Sequence, residues 1–189
     1  MLATGWKITP LFVGFCMVLI CKAGDSSPSA TYDLSKLLQR ATSYFLYEGT
    51  FTEDKILPGK PLPICGRWFI VTSDLYAKRL YEPSEEEYAV EKKVQLVLEG
   101  TPGSSVKSSM KVNHYDGPKK GQTIVTMDLK YTDYKNCALL YYRGSGDYEV
   151  WNYALNLKNN TECHKKLAEL PGKDLTVYYR DWCYAGLQG

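Results

Sequence analysis

The chain has 189 residues, of which 44% are hydrophobic, 13% aromatic and 23% charged, with a formal net charge of +2 and a pI of about 8.1. Lys7 and Lys22 have no acidic counterpart in residues 1–23, so the remaining 166 residues hold 21 basic and 21 acidic groups and no net charge. That balance excludes the basic excess expected of a nucleic-acid or anionic-membrane binder.

Met1–Ala23 places Lys7 ahead of the apolar run Leu11–Ile20 and ends on Cys21-Lys22-Ala23. This is the pattern of a secretory signal peptide cut after Ala23, and the uninterrupted apolar run is too short for a comfortable membrane span. Residues 24–189 are expected to form one domain, secreted and extracellular. Four cysteines remain after cleavage, Cys65, Cys137, Cys163 and Cys183. An even count in a secreted chain predicts two disulfides, and spacing alone leaves all three connectivities open.

Gly24–Ala30 is rich in Ser and reads as loose. Leu34, Leu37 and Leu38 at helical spacing predict a short helix within Thr31–Ala41. Ser43–Phe51 has strand composition, and Asp54–Pro63, with three prolines, reads as a loop. Strand follows strand from there: Arg67–Thr72, Leu75–Tyr81, Val90–Leu98, Val106–His114, Thr123–Tyr131, Cys137–Tyr142 and Tyr148–Ala154. Pro83–Glu87 is an acidic connection; Gly100–Ser105 and Asp116–Gly121 read as turns. Alternation in Thr123–Tyr131 sets Val125, Met127, Leu129 and Tyr131 on one face. Arg143–Asp147, with Gly144 and Gly146, predicts a hairpin connection. Asn160–Leu170 returns to helical spacing, with Asn160 or Thr161 as cap and Pro171-Gly172 as stop, and Thr176–Tyr179 is short and extended. About eight short-linked strands with a helix at each end predict a mainly β fold. The expected form is an eight-stranded antiparallel up-and-down barrel wide enough for one small ligand, with a sandwich as the alternative.

The chemistry concentrates in Asn136–Cys163. Glu149 and Trp151 share a strand face, where a carboxylate and a ring face together suit a cation. The plainer reading is an exposed Glu beside a half-buried Trp. Tyr141 and Tyr131 are candidate walls with polar tips, and Asp33 is a second acid that reads equally as a helix N-terminal charge. His114 and His164 are the only histidines, and neither lies in a Ser/His/Asp or Cys/His arrangement. No CxxC pair exists, so no metal site is expected, and no cofactor is implied. Gly144-Ser145-Gly146 leads into a strand rather than a helix, which removes it as a phosphate cradle. The chain is not expected to be an enzyme.

In the order Cys137-Ala138-Leu139, Glu149-Val150-Trp151 and Cys163, the chain resembles the secreted lipocalins of tick saliva, the histamine-binding group and its relatives. Ala138 stands where that family commonly has Asp, Val150 where it has Leu, and Tyr32-Asp33-Leu34 lacks the family's Trp. The resemblance implies a lipocalin barrel that captures a host mediator as a monomer. The expected mediator is a biogenic amine, histamine or serotonin, held by Glu149, Trp151, Tyr141, Tyr131 and Asp33. A hydrophobic ligand (eicosanoid, fatty acid or sterol) is the alternative, for which Arg67 or Arg79 would have to point inward. A third reading is a scaffold that antagonises a host protein through the Asp54–Pro63 and Asp116–Gly121 loops. The hairpin returns the chain beside Cys137 just ahead of the helix carrying Cys163, so Cys137–Cys163 and Cys65–Cys183 are the expected pairs. As a cavity-lining residue, Glu149 is expected to tolerate substitution by Gln without loss of the fold.

Asn159-Asn160-Thr161 is the sole glycosylation sequon. Secreted from a eukaryotic cell, the protein is expected to carry a glycan on Asn159. An N-glycosidase digest that leaves the intact mass unchanged contradicts this.

Overall fold

The computed structural model describes residues 32–58, 64–71, 73, 75–82, 88–100, 102–154 and 161–183. The expected signal peptide, the Gly24–Ala30 stretch, the Pro83–Glu87 connection and the Asn159 sequon lie outside the described residues.

Helix α1 (Leu34–Leu38) is followed by strands β1 (Ser43–Gly49), β2 (Arg67–Val71), β3 (Tyr76–Tyr81), β4 (Val90–Glu99), β5 (Ser109–His114), β6 (Thr123–Thr132), β7 (Cys137–Tyr142) and β8 (Tyr148–Asn152). Helix α2 (Glu162–Ala168) and the short strand β9 (Thr176–Val177) complete the order. Each strand from β2 to β8 pairs antiparallel with the next. β8 pairs with β1, and β1 pairs with β2, so eight strands close into a ring. β9 pairs with β1 at Glu48 and Gly49, beyond the stretch that β2 occupies. The expected eight-stranded up-and-down barrel is what forms. Closure leaves no free sheet edge along these eight strands, which removes the hazard of unpaired backbone groups.

Alternation along the strands separates an interior from an exterior. Tyr44, Leu46, Trp68, Ile70, Ala77, Val94, Leu96, Met110, Val112, Met127, Leu129, Ala138, Leu140 and Trp151 belong to one buried interior cluster. The side chains of α1 that face this cluster, Leu34, Leu37 and Leu38, are buried to 2% exposure or less and plug one end. Two bonds fix the helix there. The Tyr44 hydroxyl donates to the Leu37 carbonyl at 2.6 Å, and Leu34 N–H donates to the Lys107 carbonyl at 2.6 Å. Outside the barrel, α2 packs Cys163 and Leu167 on Cys137, Leu139 and Val150.

The disulfides are Cys65–Cys183 and Cys137–Cys163, as expected. The first closes 118 residues of sequence and the second 26. On the chain-entropy model each contributes about 3–5 kcal/mol.

Tyr131 departs from its expected face. The β6–β7 register shifts between Leu129 and Tyr131, so Leu129 opposes Leu140 while Tyr131 opposes Leu139. The irregularity turns Tyr131 out of the interior. Its ring packs with the α2 cluster and under the Lys166 ammonium at 4.8 Å. The expected Asp54–Pro63 loop is described over residues 54–58, which form no helix or strand and in which Asp54, Ile56 and Leu57 are buried.

Two buried titratable groups set opposing pH dependences. His164 is 3% exposed, bonded through Nδ1 to the Thr161 hydroxyl and edge-on to Tyr47, and burial lowers its pKa from 6.5 to about 4. Its contribution is therefore present above pH 6.5 and is lost as pH falls towards 4, for about 3 kcal/mol in full. Glu48 is 7% exposed, and burial raises its pKa from 4.5 to about 7. Its contribution is present below pH 4.5 and is lost as pH rises through 7. Urea unfolding across this range is expected to show His164→Gln flattening the acid limb and Glu48→Gln raising stability at neutral pH. An acid limb unchanged in His164→Gln would remove the imidazole as its cause.

Candidate functional site

β8 alternates so that Glu149 and Trp151 both enter the barrel, where each is fully buried. β2 and β3 bring Trp68 and Arg79 to the same layer, and Trp68 lies directly opposite Arg79 in register. After β1 the chain crosses the end at which that strand finishes. There Phe51 and Ile56 join the interior cluster and Asp54 is 1% exposed.

These residues form one connected charge layer. Arg79 Nε donates to Asp54 Oδ2 at 2.8 Å, and Arg79 Nη2 donates to Glu149 Oε2 at 3.1 Å. Glu149 Oε1 accepts from Trp68 Nε1 at 3.1 Å and from Trp151 Nε1. Asp54 Oδ1 accepts from the backbone N–H groups of Ile56 at 2.8 Å and Leu57 at 3.3 Å. The guanidinium lies over the Trp68 ring at 5.1 Å, and the two indoles pack at 5.4 Å. A cation held by a carboxylate and a ring face is what Glu149 and its neighbours were expected to bind. In this structure that cation belongs to the chain itself.

The electrostatics follow from burial. Desolvation opposes the Arg79 charge, but Asp54 and then Glu149 outweigh it and hold the guanidinium pKa above its ordinary value. Burial, followed by the Glu149 charge, pushes the Tyr142 and Tyr178 hydroxyls well above the ordinary phenol range. Tyr178 donates to the Phe51 carbonyl at 2.8 Å, which ties the C-terminal segment over the same end. Arg79 Nη1 is buried without an acceptor. Lys92 is half-buried nearby, and its ammonium donates to the Ile56 carbonyl at 2.9 Å.

The other expected site residues lie elsewhere. Asp33 is the N-cap of α1: its Oδ1 accepts from Ser35 N–H, the Ser35 hydroxyl and Lys107 N–H. Burial opposes its ionisation, but the Ser35 hydroxyl and backbone donors hold its pKa below the ordinary value. Tyr131 is outside, for the register reason given above. Tyr141 neighbours the inward Tyr142, packs on Tyr148 at 5.0 Å and lies under the Lys130 ammonium at 4.8 Å. Of the five residues, only Glu149 and Trp151 come together. Arg67 alternates outward and donates to the Ser43 hydroxyl at 2.9 Å, while Arg79 points inward.

Asp54 and Trp68 escaped the sequence reading, and Arg79 was named there with its direction left open. Arg79 carried a weak signal, since it shares a strand face with Ala77 and Tyr81. Asp54 carried none, because its role depends on where an irregular segment lands.

The layer changes what substitution of Glu149 is expected to cost, since its carboxylate is part of a buried ion pair. Removing one partner of a buried ion pair strands the other charge in a low-dielectric interior, at a cost of about 3–5 kcal/mol. Glu149→Gln and Asp54→Asn are each expected to lower the unfolding free energy by an amount of this order. Urea denaturation at pH 7 measures it, and a loss within experimental error of zero would mean the layer is solvated.

A family model described as tick histamine binding protein matches residues 73–185, more than half of the chain. None of the curated proteins matches the sequence. Among solved structures, a serotonin complex of AM182 is similar with a TM-score of 0.56 at 16% identity, covering 81% of this chain and 93% of that one. An LTC4 complex of LTBP1 matches with a TM-score of 0.45 at 16% identity over 78% of this chain and 86% of that one. Japanin from Rhipicephalus appendiculatus, bound to cholesterol, matches with a TM-score of 0.45 at 12% identity over 72% and 91%. With its closed eight-stranded barrel, its two disulfides and the match over residues 73–185, the chain belongs to the tick histamine-binding protein family.

Proposed function

We propose that the protein is a secreted lipocalin, led by a signal peptide at residues 1–23 and acting as a monomer through residues 24–189. It sequesters a small host mediator inside the barrel and performs no catalysis. The mediator favoured here is a biogenic amine such as histamine or serotonin. One observation carries this reading: two buried carboxylates, Asp54 and Glu149, converge on one buried guanidinium. Among these three groups one negative charge is uncompensated, and in a low-dielectric interior such a charge attracts a cation strongly. Lys92, half-buried, feels the Asp54 charge but hydrogen-bonds a carbonyl rather than a carboxylate. Trp68, Trp151 and Tyr142 supply aromatic faces around the layer. The family's description supports the same ligand class.

A second reading rests on a different observation. Arg79 Nη1 is a buried donor without an acceptor, and the carboxylates already accept several hydrogen bonds each. A hydrophobic ligand with a carbonyl, hydroxyl or carboxylate head, such as an eicosanoid, fatty acid or sterol, would satisfy that donor.

Calorimetric titration of the wild type and Glu149→Gln with histamine, serotonin and a fatty acid separates the two, at a temperature where melting curves show both proteins folded. The amine reading expects affinity for the amine to fall by about 10- to 150-fold in Glu149→Gln, the effect of losing a charged hydrogen bond. It expects fatty acid to bind poorly to both. Unchanged amine affinity ends that mechanism. Fatty acid binding that is lost in Arg79→Gln and kept in Glu149→Gln establishes the second reading.

A further inference from the structure

Arg79 is where two unmet demands of the charge layer come together. Glu149 Oε1 accepts both indole N–H groups, and Asp54 Oδ1 accepts the backbone N–H groups of Ile56 and Leu57. The other oxygen of each carboxylate accepts one N–H of Arg79, Glu149 Oε2 at 3.1 Å and Asp54 Oδ2 at 2.8 Å. An ionised carboxylate offers about four lone-pair sites, so the spare acceptor capacity of the layer lies at Oε2 and Oδ2. Nη1 belongs to the same planar head and is buried with no acceptor among the described residues.

Covalent geometry makes these positions neighbours. The guanidinium nitrogens share one carbon: Nε and Nη2 reach the spare oxygens, and Nη1 is the unmet donor. An ammonium that meets Oε2 or Oδ2 and an oxygen that meets Nη1 therefore lie against the same head, close enough to sit on adjacent atoms of one ligand. Charge narrows the ligand further. Two carboxylates against one guanidinium leave one negative charge. A ligand carboxylate on Nη1 would cancel the charge of its own amine and leave the layer uncompensated. A hydroxyl satisfies the donor and keeps the ligand cationic.

We propose that the barrel takes vicinal amino alcohols, protonated amines with a hydroxyl on the adjacent carbon, and that Arg79 is the residue that reads the hydroxyl. This rests on the amine reading of the function proposed above and narrows it. The ammonium meets the spare oxygens of Glu149 and Asp54, the hydroxyl accepts from Arg79 Nη1, and an apolar body packs on the Trp68 and Trp151 rings. Selectivity comes from the donor: an amine without the hydroxyl closes the ligand over a charged N–H that stays unpaired. A site built to hydrogen-bond a hydroxyl rejects the analogue that lacks it, and a bond to a charged group corresponds to about 10- to 150-fold in affinity.

The test is calorimetric titration of the wild-type protein at pH 7 with three amines of one skeleton. They are phenylethylamine, β-hydroxyphenylethylamine with its hydroxyl beside the amine-bearing carbon, and tyramine with its hydroxyl at the far end of the ring. Each is a monocation at this pH. The β-hydroxy compound is expected to bind about 10- to 150-fold more tightly than phenylethylamine, and tyramine no more tightly than phenylethylamine. Arg79→Lys keeps the charge and loses the fork of donors, so it is expected to erase that gain at a temperature where melting curves show it folded. If that variant does not fold, the wild-type ranking decides alone. Equal affinity for the three amines, or an equal gain with tyramine, overturns the proposal and leaves the amine reading standing. A gain that persists in folded Arg79→Lys also overturns it. So does a β-hydroxy compound that does not bind, and if histamine and serotonin fail to bind as well, the amine reading falls with it.

Discussion

The buried contact of Arg79 with Asp54 and Glu149 is the constraint on which the rest of the interior depends. A guanidinium fully removed from water must be paired, and the desolvation cost is offset only when the geometry is good and the remaining groups are hydrogen-bonded. The partners are 25 and 70 residues away from Arg79 in sequence. One comes from the segment after β1, the other from β8 across the barrel. The triad therefore joins two walls and the covering segment at a single point. Ile56 and Leu57 are buried in consequence, because their N–H groups are the donors that hold the Asp54 carboxylate in place.

The two indoles complete that arrangement. Trp68 and Trp151 both direct N–H groups to Glu149 Oε1, which settles the orientation of the carboxylate before any ligand is considered. Their rings then serve as packing surface, with Tyr44 at 5.0 Å from Trp151 and its hydroxyl reaching α1. The polar layer and the apolar plug are thus linked through one column of aromatic side chains.

This has a bearing on ligand choice. The family's common Asp next to the first cysteine of this unit is Ala138 here, and Ala138 sits directly beside Trp151 in the β7–β8 register. One acid is absent from that position, while Asp54 enters the layer from a segment of irregular structure. The inward cation at this layer is one of the chain itself, Arg79.

Much of the fold was legible in local pattern. Period-two alternation marks the interior of β4, where Val94, Leu96 and Leu98 share a face, helical spacing marks α1 and α2, and Gly144 and Gly146 adopt positive φ between two strands where other residues would be strained. The Cys137–Cys163 pair followed from the hairpin's return, and Cys65–Cys183 was the pair that then remained. These features depend on near neighbours in the chain, so the residues state them directly. The face of Tyr131 depends on a register shift that β6 acquires only against β7, and no alternation in β6 alone reveals it. The direction of Arg79 was ambiguous because Lys78 occupies the opposite face of the same strand. The acid that meets it, Asp54, lies where no periodicity operates. Local composition determined which strands and helices form, and the local hairpin brought Cys137 to Cys163. Only closure of the barrel decided which charges meet, because a buried guanidinium selects its partners across space rather than along the chain.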